Sequence, residues 1–204
     1  MRTRRLLAGL SVLGALAGEV RAAGDVAATV NGTPITTTMV NQVVKGAISG
    51  RAQAPGSDEI AKLSDAALAS LIDLELLAQA AQARGIKITD AQVDAEIARQ
   101  RARFASEQDY DKAMAASGLS RDALRAETRK TLLVKQFVET VVWKDVTVKP
   151  DAVRAYYEQN KAALGGKSFD ALRPAIERAL LEDAHRQAQQ AYVAGLRKTA
   201  KIEQ

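Results

Sequence analysis

The 204-residue chain carries 29 Lys and Arg against 24 Asp and Glu, one histidine, no cysteine and 4% aromatic residues. Without thiols it has neither a disulfide framework nor a thiolate site, so its stability must come from packing. A single histidine also leaves a hydrolase triad, or a histidine-based metal site, without its usual parts.

The first residues are laid out as a secretory signal. Arg2, Arg4 and Arg5 form a positive start, Leu6 to Gly18 an apolar stretch, and Val20-Arg21-Ala22 a small-residue cleavage site, so residues 1–22 read as a removable leader. A 13-residue stretch is well short of the roughly 20 residues that a helix needs to cross a bilayer core. No cysteine follows it, which leaves no thiol for lipid attachment. The reading is therefore export without a stable membrane anchor, with Arg4-Arg5 leaving the general and twin-arginine routes both open. Removing residues 1–22 takes four of the 29 basic residues (Arg2, Arg4, Arg5, Arg21) and one of the 24 acidic ones (Glu19), leaving 25 against 23. A net charge of +2 argues against nucleic acid as a partner, since that role requires a clustered basic face.

Beyond the leader, Val26 to Ile35 holds Asn31-Gly32 between two β-prone runs, which predicts a tight hairpin. Thr36 to Thr38 offer capping oxygens for a helix with Met39, Val43 and Ala47 at spacing four, ending near Gly50. Arg51 to Ser64, with Pro55-Gly56 at its centre, reads as a loop. From Asp65 to Arg84, Ala67, Leu71, Leu74, Ala78 and Ala81 alternate at spacings of four and three, and Leu68, Ile72 and Leu76 widen that face into a largely buried helix.

Gly85 stands where a left-handed cap belongs, and Thr89 to Gln92 forms a capping box that opens a helix to about Phe104. Ser106 caps a short helix through Ala116 that Gly118 stops. Asp122 to Val142 is a second strong helix, with Leu133/Phe137/Val141 and Val134/Val138/Val142 each four apart. Residues 145–148 alternate like a short strand, Pro150 begins a helix through Asn160, and Pro174 begins the longest one, to about Thr199. Ala200 to Gln204 suits an edge strand beside the hairpin.

No catalytic, cofactor-binding or metal-ligating residue emerges from this pass. His185 has no sequence cue for a partner and reads as a surface residue, while Glu75, Asp94 and Glu96 are dispersed along helices as solvated charge. Gly165-Gly166 lacks the strand that a phosphate-binding loop requires and reads as a turn. Most of the aromatic residues read as core. Tyr110 and Met114, four apart on the short helix, could line an apolar groove.

The order of segments resembles the N-terminal chaperone domain of the SurA-like periplasmic folding factors, relatives of PrsA and PpiD. The resemblance rests on ATVNGTPIT, then ALASLIDLELLAQAAQARGIKITDAQVDAEI, SRDALRAETRKTLLVKQFV and DVTVKPDAVRAYYEQN, covering Val26 to Asn160. Its most specific piece is Leu71-Ile72-Asp73 with Glu75-Leu76-Leu77, followed by GIKITDAQVD. The family usually places parvulin-type prolyl isomerase domains between such a segment and a closing helix like residues 168–203, yet here only Lys161 to Lys167 separates the two.

The resemblance implies a mainly α chaperone domain over residues 23–204, with a small β-hairpin, edge strands and a long C-terminal helix (168–204) completing the core of residues 23–160. It implies a periplasmic protein without cofactor that binds unfolded polypeptide clients, envelope or outer-membrane proteins, through an apolar cradle between the N-terminal helices and the C-terminal one. Met39, Val43, Phe104, Tyr110, Met114 and Leu119 are the candidate client-binding residues. Two other readings stay open: a helical adapter for one dedicated envelope partner, and a peptidyl-prolyl isomerase.

Overall fold

The structure, a computed structural model, describes residues 25–49, 51 and 53–204, so the expected leader at 1–22 lies outside the described residues. It is mainly α-helical, with a small antiparallel sheet and a long C-terminal helix.

Strands β1 (Val26–Val30) and β2 (Thr33–Thr36) form the expected hairpin. Asn31 and Gly32 take φ of 50° and 84°. That is the mirror-image turn whose twist matches its strands, and it explains the Asn-Gly pair. The closing strand β3 (Ile202–Glu203) pairs with the other side of β1, matching Val30 to Ile202 and Thr29 to Glu203. The first strand is therefore central, in the order β2-β1-β3, and its inward side chains Ala28 and Val30 are buried with Ile35.

Helix α1 (Thr37–Ile48) starts on Thr36, whose hydroxyl accepts from the Met39 N–H. It buries Val40 and Val44, one position on from the expected Met39/Val43/Ala47 stripe. Helix α2 (Ser57–Ala83) corrects a second expectation, because residues 57–64 are helical rather than loop. Gly56 is its N-cap, and Asp58 and Glu59 place negative charge in the first turn, where the helix dipole favours it. Leu63 extends the Ala67 stripe back to the sheet. Ser64-Asp65 resembles a helix start, yet the chain there is already two turns into the helix. At the far end Gly85 is left-handed, and the N–H groups of Gly85 and Ile86 donate to the carbonyls of Gln82 and Ala81 at 2.9 and 3.2 Å, closing a Schellman cap.

Helix α3 (Asp90–Arg101) carries the expected capping box and stops three residues before Phe104. Helix α4 (Glu107–Ser117) runs from Ser106 to a left-handed Gly118. Helix α5 (Arg121–Phe137) does not continue regularly to Val142, since Val138–Val142 forms a π-helical turn closed by the Trp143 N–H on the Val138 carbonyl at 2.9 Å. The wider turn re-aims the chain beyond Val142. Residues 145–148 are not a strand; Val148 packs instead against the cluster of Val153 and Tyr157.

Helix α6 (Pro150–Asn160) has its proline at the first position. Helix α7 (Phe169–Thr199) starts five residues before Pro174, capped by Ser168, so that proline sits inside the helix. There its missing N–H frees the carbonyl of Asp170, an exposed first-turn residue that water can solvate. Gly165 and Gly166, both at positive φ, form the expected turn ahead of it.

Three apolar clusters result among the described residues. One joins the sheet to α1 and the first half of α2, and a second joins the rest of α2 to α5, the π turn and Val193. The third lies between α6 and the start of α7, around Tyr157 and Ile176. Helix α7 is thus a strap, anchored in the third cluster at one end and in the other two through Leu196 and Val193.

Candidate functional site

Charged residues hold the strap to the body. Arg197 on α7 donates through Nε to Asp73 on α2 at 2.7 Å and reaches the Ala69 carbonyl at 3.2 Å. Deeper in, Glu75 on α2 is buried, takes an ion pair from Lys130 on α5, and accepts from Gln79 at 2.8 Å. Gln79 also donates to the Val30 carbonyl and accepts from the Asn31 amide at 2.7 Å. One polar network therefore ties α5, α2 and the hairpin turn. It corrects the reading of Glu75 as solvated charge, since water is excluded there and its partner lies 55 residues away.

The end of the π turn sends Trp143 against α7. Its ring stacks on His185, with centroids 4.3 Å apart and planes at 13°, and its indole N–H donates to the His185 carbonyl at 3.0 Å. His185 is half-buried under that ring and is not the free surface residue expected from sequence. Beside the stack runs an open groove of about 590 Å³ between α2 and α7. Trp143, Val193 and Ala194 supply its apolar surface, and Glu182, Gln189 and Gln190 supply polar groups from one side of α7. A cleft of this size suits a ligand of a few residues or a drug-sized molecule.

The sequence-derived candidates gather elsewhere. Met39 and Val43 lie on α1, half-buried and exposed respectively. Phe104 is 39% exposed in the link before α4, and its ring meets Tyr110 edge to face at 5.5 Å. Met114 lies one turn on from Tyr110, and Leu119 follows α4, both half-buried. Lys45 joins these groups by donating to the Ala116 carbonyl at 3.1 Å. Under Phe104, Ile97 and Ala98 line a shallow cleft of about 430 Å³. The Arg101–Glu107 ion pair closes one side of it, and the hydrogen-bonded Glu107 carboxylate raises the Arg101 pKa above its ordinary value. Helix α4 buries no residue of its own. It is an arm standing off the body, and none of the six candidates lines the α7 groove.

The residues that make the groove were missed because Asp73, Trp143 and Glu182 are distant in sequence. Its one available signal was rarity: the only tryptophan and the only histidine of the chain meet there. Among the described residues, no group of three His, Cys, Asp or Glu is placed to hold a metal ion. The arrangement offers hydrogen bonds, apolar contact and charge, the means of binding.

A three-stranded sheet, a central α2 and a returning strap of α7 define a helical scaffold of the SurA N-terminal type. The profile of the SurA-like N-terminal domain family matches residues 7–138, well over half the chain, and the chain belongs to that family. That match ends at the first residue of the π turn, so α6 and α7 are related to known proteins by fold. A solved Campylobacter jejuni structure has a TM-score of 0.56 at 15% identity, over 87% of this chain and 98% of that one. It comes from a description of the virulence factor PEB4 and the periplasmic protein Cj1289 as two structurally related SurA-like chaperones. At that identity the likeness is one of fold. No curated protein matches the chain. No helix among the described residues is long and apolar enough to cross a membrane.

Proposed function

We propose that this protein is a periplasmic chaperone that holds unfolded envelope proteins, outer-membrane proteins among them, by non-covalent contact. Membership of the SurA-like family supports the chaperone role. The observation that carries the rest is the open groove between α2 and α7, where apolar surface and hydrogen-bonding groups lie side by side along one helix. In this reading residues 1–22 direct export and residues 23–204 form the working domain, which needs no isomerase activity. The arm carrying Tyr110 and Met114, with Phe104, Leu119, Met39 and Val43 around it, is a second client-contacting surface. Two apolar surfaces on one small body can hold a long client at two points, which strengthens binding without either site being tight.

The test is the aggregation of a denatured outer-membrane protein diluted into buffer with the exported form at stoichiometric ratio. Delay of light scattering is expected, and unchanged scattering would remove the proposal. Capture of one stoichiometric periplasmic partner in place of many unfolded proteins would favour an adapter. Strong turnover of a proline-containing peptide would favour an isomerase.

A further inference from the structure

Four ionised groups line the α2–α7 groove as two carboxylates and two guanidiniums, and three of them are already engaged. Asp73 is held by Arg197, and Arg186 by Asp183. Glu182 stands exposed, with no ion-pair or hydrogen-bond partner among the described residues. The side-chain amides of Gln189 and Gln190 are equally uncommitted there. Helical spacing puts Glu182, Arg186, Gln189, Gln190 and Val193 in one line, because residues three or four apart are neighbours on a helix surface.

The line has a length that selects its ligand. Glu182 to Val193 spans eleven residues, about 16 Å at the helical rise, which an extended chain covers with about five residues at roughly 3.3 Å each. A glutamine amide both donates and accepts, so it can pair with the C=O and N–H of a main chain and read no side chain. Glu182 lies about one turn before His185, on which Trp143 stacks, and an exposed carboxylate without a partner favours a cationic side chain over a neutral one. At the other end the exposed Ala194 offers apolar contact above the buried Val193, beside the Asp73–Arg197 ion pair.

We propose that the groove binds an extended polypeptide segment of about five residues, with a Lys or Arg side chain at Glu182, its main chain on the Gln189 and Gln190 amides, and an apolar side chain on Ala194. This rests on the reading of the groove as a client site and adds the sequence class of the client segment. The unpaired carboxylate sets the preference and the amides supply affinity common to all segments.

Trp143 is the only tryptophan of the chain, so its emission reports on the groove directly. The exported form is titrated with end-blocked, tryptophan-free pentapeptides that carry a leucine at one end and differ only by Lys, Gln or Glu at the other. The Lys peptide should bind about three- to fivefold tighter than the Glu peptide, the range of an exposed ion pair. Glu182→Gln should level the series, and Glu182→Lys should reverse it. Because Glu182 is exposed, neither change threatens folding, and unchanged circular dichroism checks this. Replacing Gln189 and Gln190 together by Ala should weaken all three peptides alike, by about fivefold.

Equal affinity for the Lys and Glu peptides, a preference that survives Glu182→Gln, or Trp143 emission unmoved by any peptide would each overturn the proposal. Loss confined to the Lys peptide in the glutamine double variant would overturn the main-chain role. The aggregation assay separates the two levels: delayed aggregation without a charge preference sinks this inference alone, and absence of delay in the unmodified protein sinks the chaperone reading beneath it.

Discussion

Helix α4 has both ends written in its own residues, Ser106 and Gly118, and buries nothing against the body; the groove beside α7 has no local definition and is made wholly by packing between distant segments. The arm is local structure without a core, because capping satisfies its end groups while Tyr110 and Met114 find only partial cover. The groove is tertiary structure without a local signal. Its walls stand where they do because Phe137 and Val193 are buried beneath them and Arg197 ties α7 to Asp73. Substitution should therefore cost stability at the groove's support and client handling at the arm.

The largest effect is expected under the groove. Phe137 is fully buried, and its ring meets Tyr192 of α7 edge to face at 5.5 Å. Phe137→Ala should cost about 3–5 kcal/mol through lost burial and a residual cavity. A urea unfolding midpoint moved by less than about 1 kcal/mol equivalent would show that α7 is not anchored there. Glu75→Ala should cost less, about 2 kcal/mol, because Lys130 keeps 29% side-chain exposure and can turn to water when its partner is removed. The same unfolding curve measures it, and Glu75→Gln, which keeps the hydrogen bond with Gln79, should recover part of the loss.

On the arm the order reverses. Tyr110→Ala with Met114→Ala should change stability by about 1 kcal/mol or less, the scale of exposed positions and one edge-to-face contact. It should also visibly shorten the delay of client aggregation. A large stability loss with unchanged client handling would break the contrast between the two regions.

The smallest effect concerns the closing strand. The hydrogen-bonded Lys201 ammonium, and then the Thr29 hydroxyl, hold the Glu203 carboxyl below its ordinary pKa. A carboxyl depressed on folding contributes stability above its unfolded value, near 4.3, and loses it as pH falls through the lower folded value. Unfolding midpoints should therefore be flat from about pH 7 to 5.5 in this contribution and decline below that range. Glu203→Gln should make the decline shallower by this carboxyl's share, leaving that of Glu96, and an identical acid profile in that variant would show that the strand contributes nothing through this pair.

The same division runs through the features that could be read in advance. The Asn31-Gly32 hairpin, the Thr89 box, the Gly85 and Gly118 stops and Pro150 were legible, because each depends on groups within a few residues of one another. Three boundaries were not. The first two turns of α2 were hidden by Pro55-Gly56, which lie immediately before the helix, and by the cap-like Ser64-Asp65 inside it. Pro174 marks a first turn in most helices, but Ser168 caps this one earlier, where Phe169 and Leu172 gain burial in the third cluster. The π turn has no local residue code, and its Val138 is buried in the same cluster as Val193 of α7. The Glu75–Lys130 pair and the Trp143–His185 stack join residues 55 and 42 positions apart, so no periodicity could announce them.

By itself, then, the sequence determined the helical class, the caps and turns, the pairing-competent ends of the sheet and the SurA-like order of segments. These follow from short-range hydrogen bonding and from the spacing of apolar residues along one chain. Only the tertiary structure decided that α4 stands away as an arm, that β3 closes on β1, and that Trp143 and α7 form a groove whose Glu182 has no partner among the described residues. Those features depend on which distant surfaces exclude water together, and that free energy belongs to the packed whole.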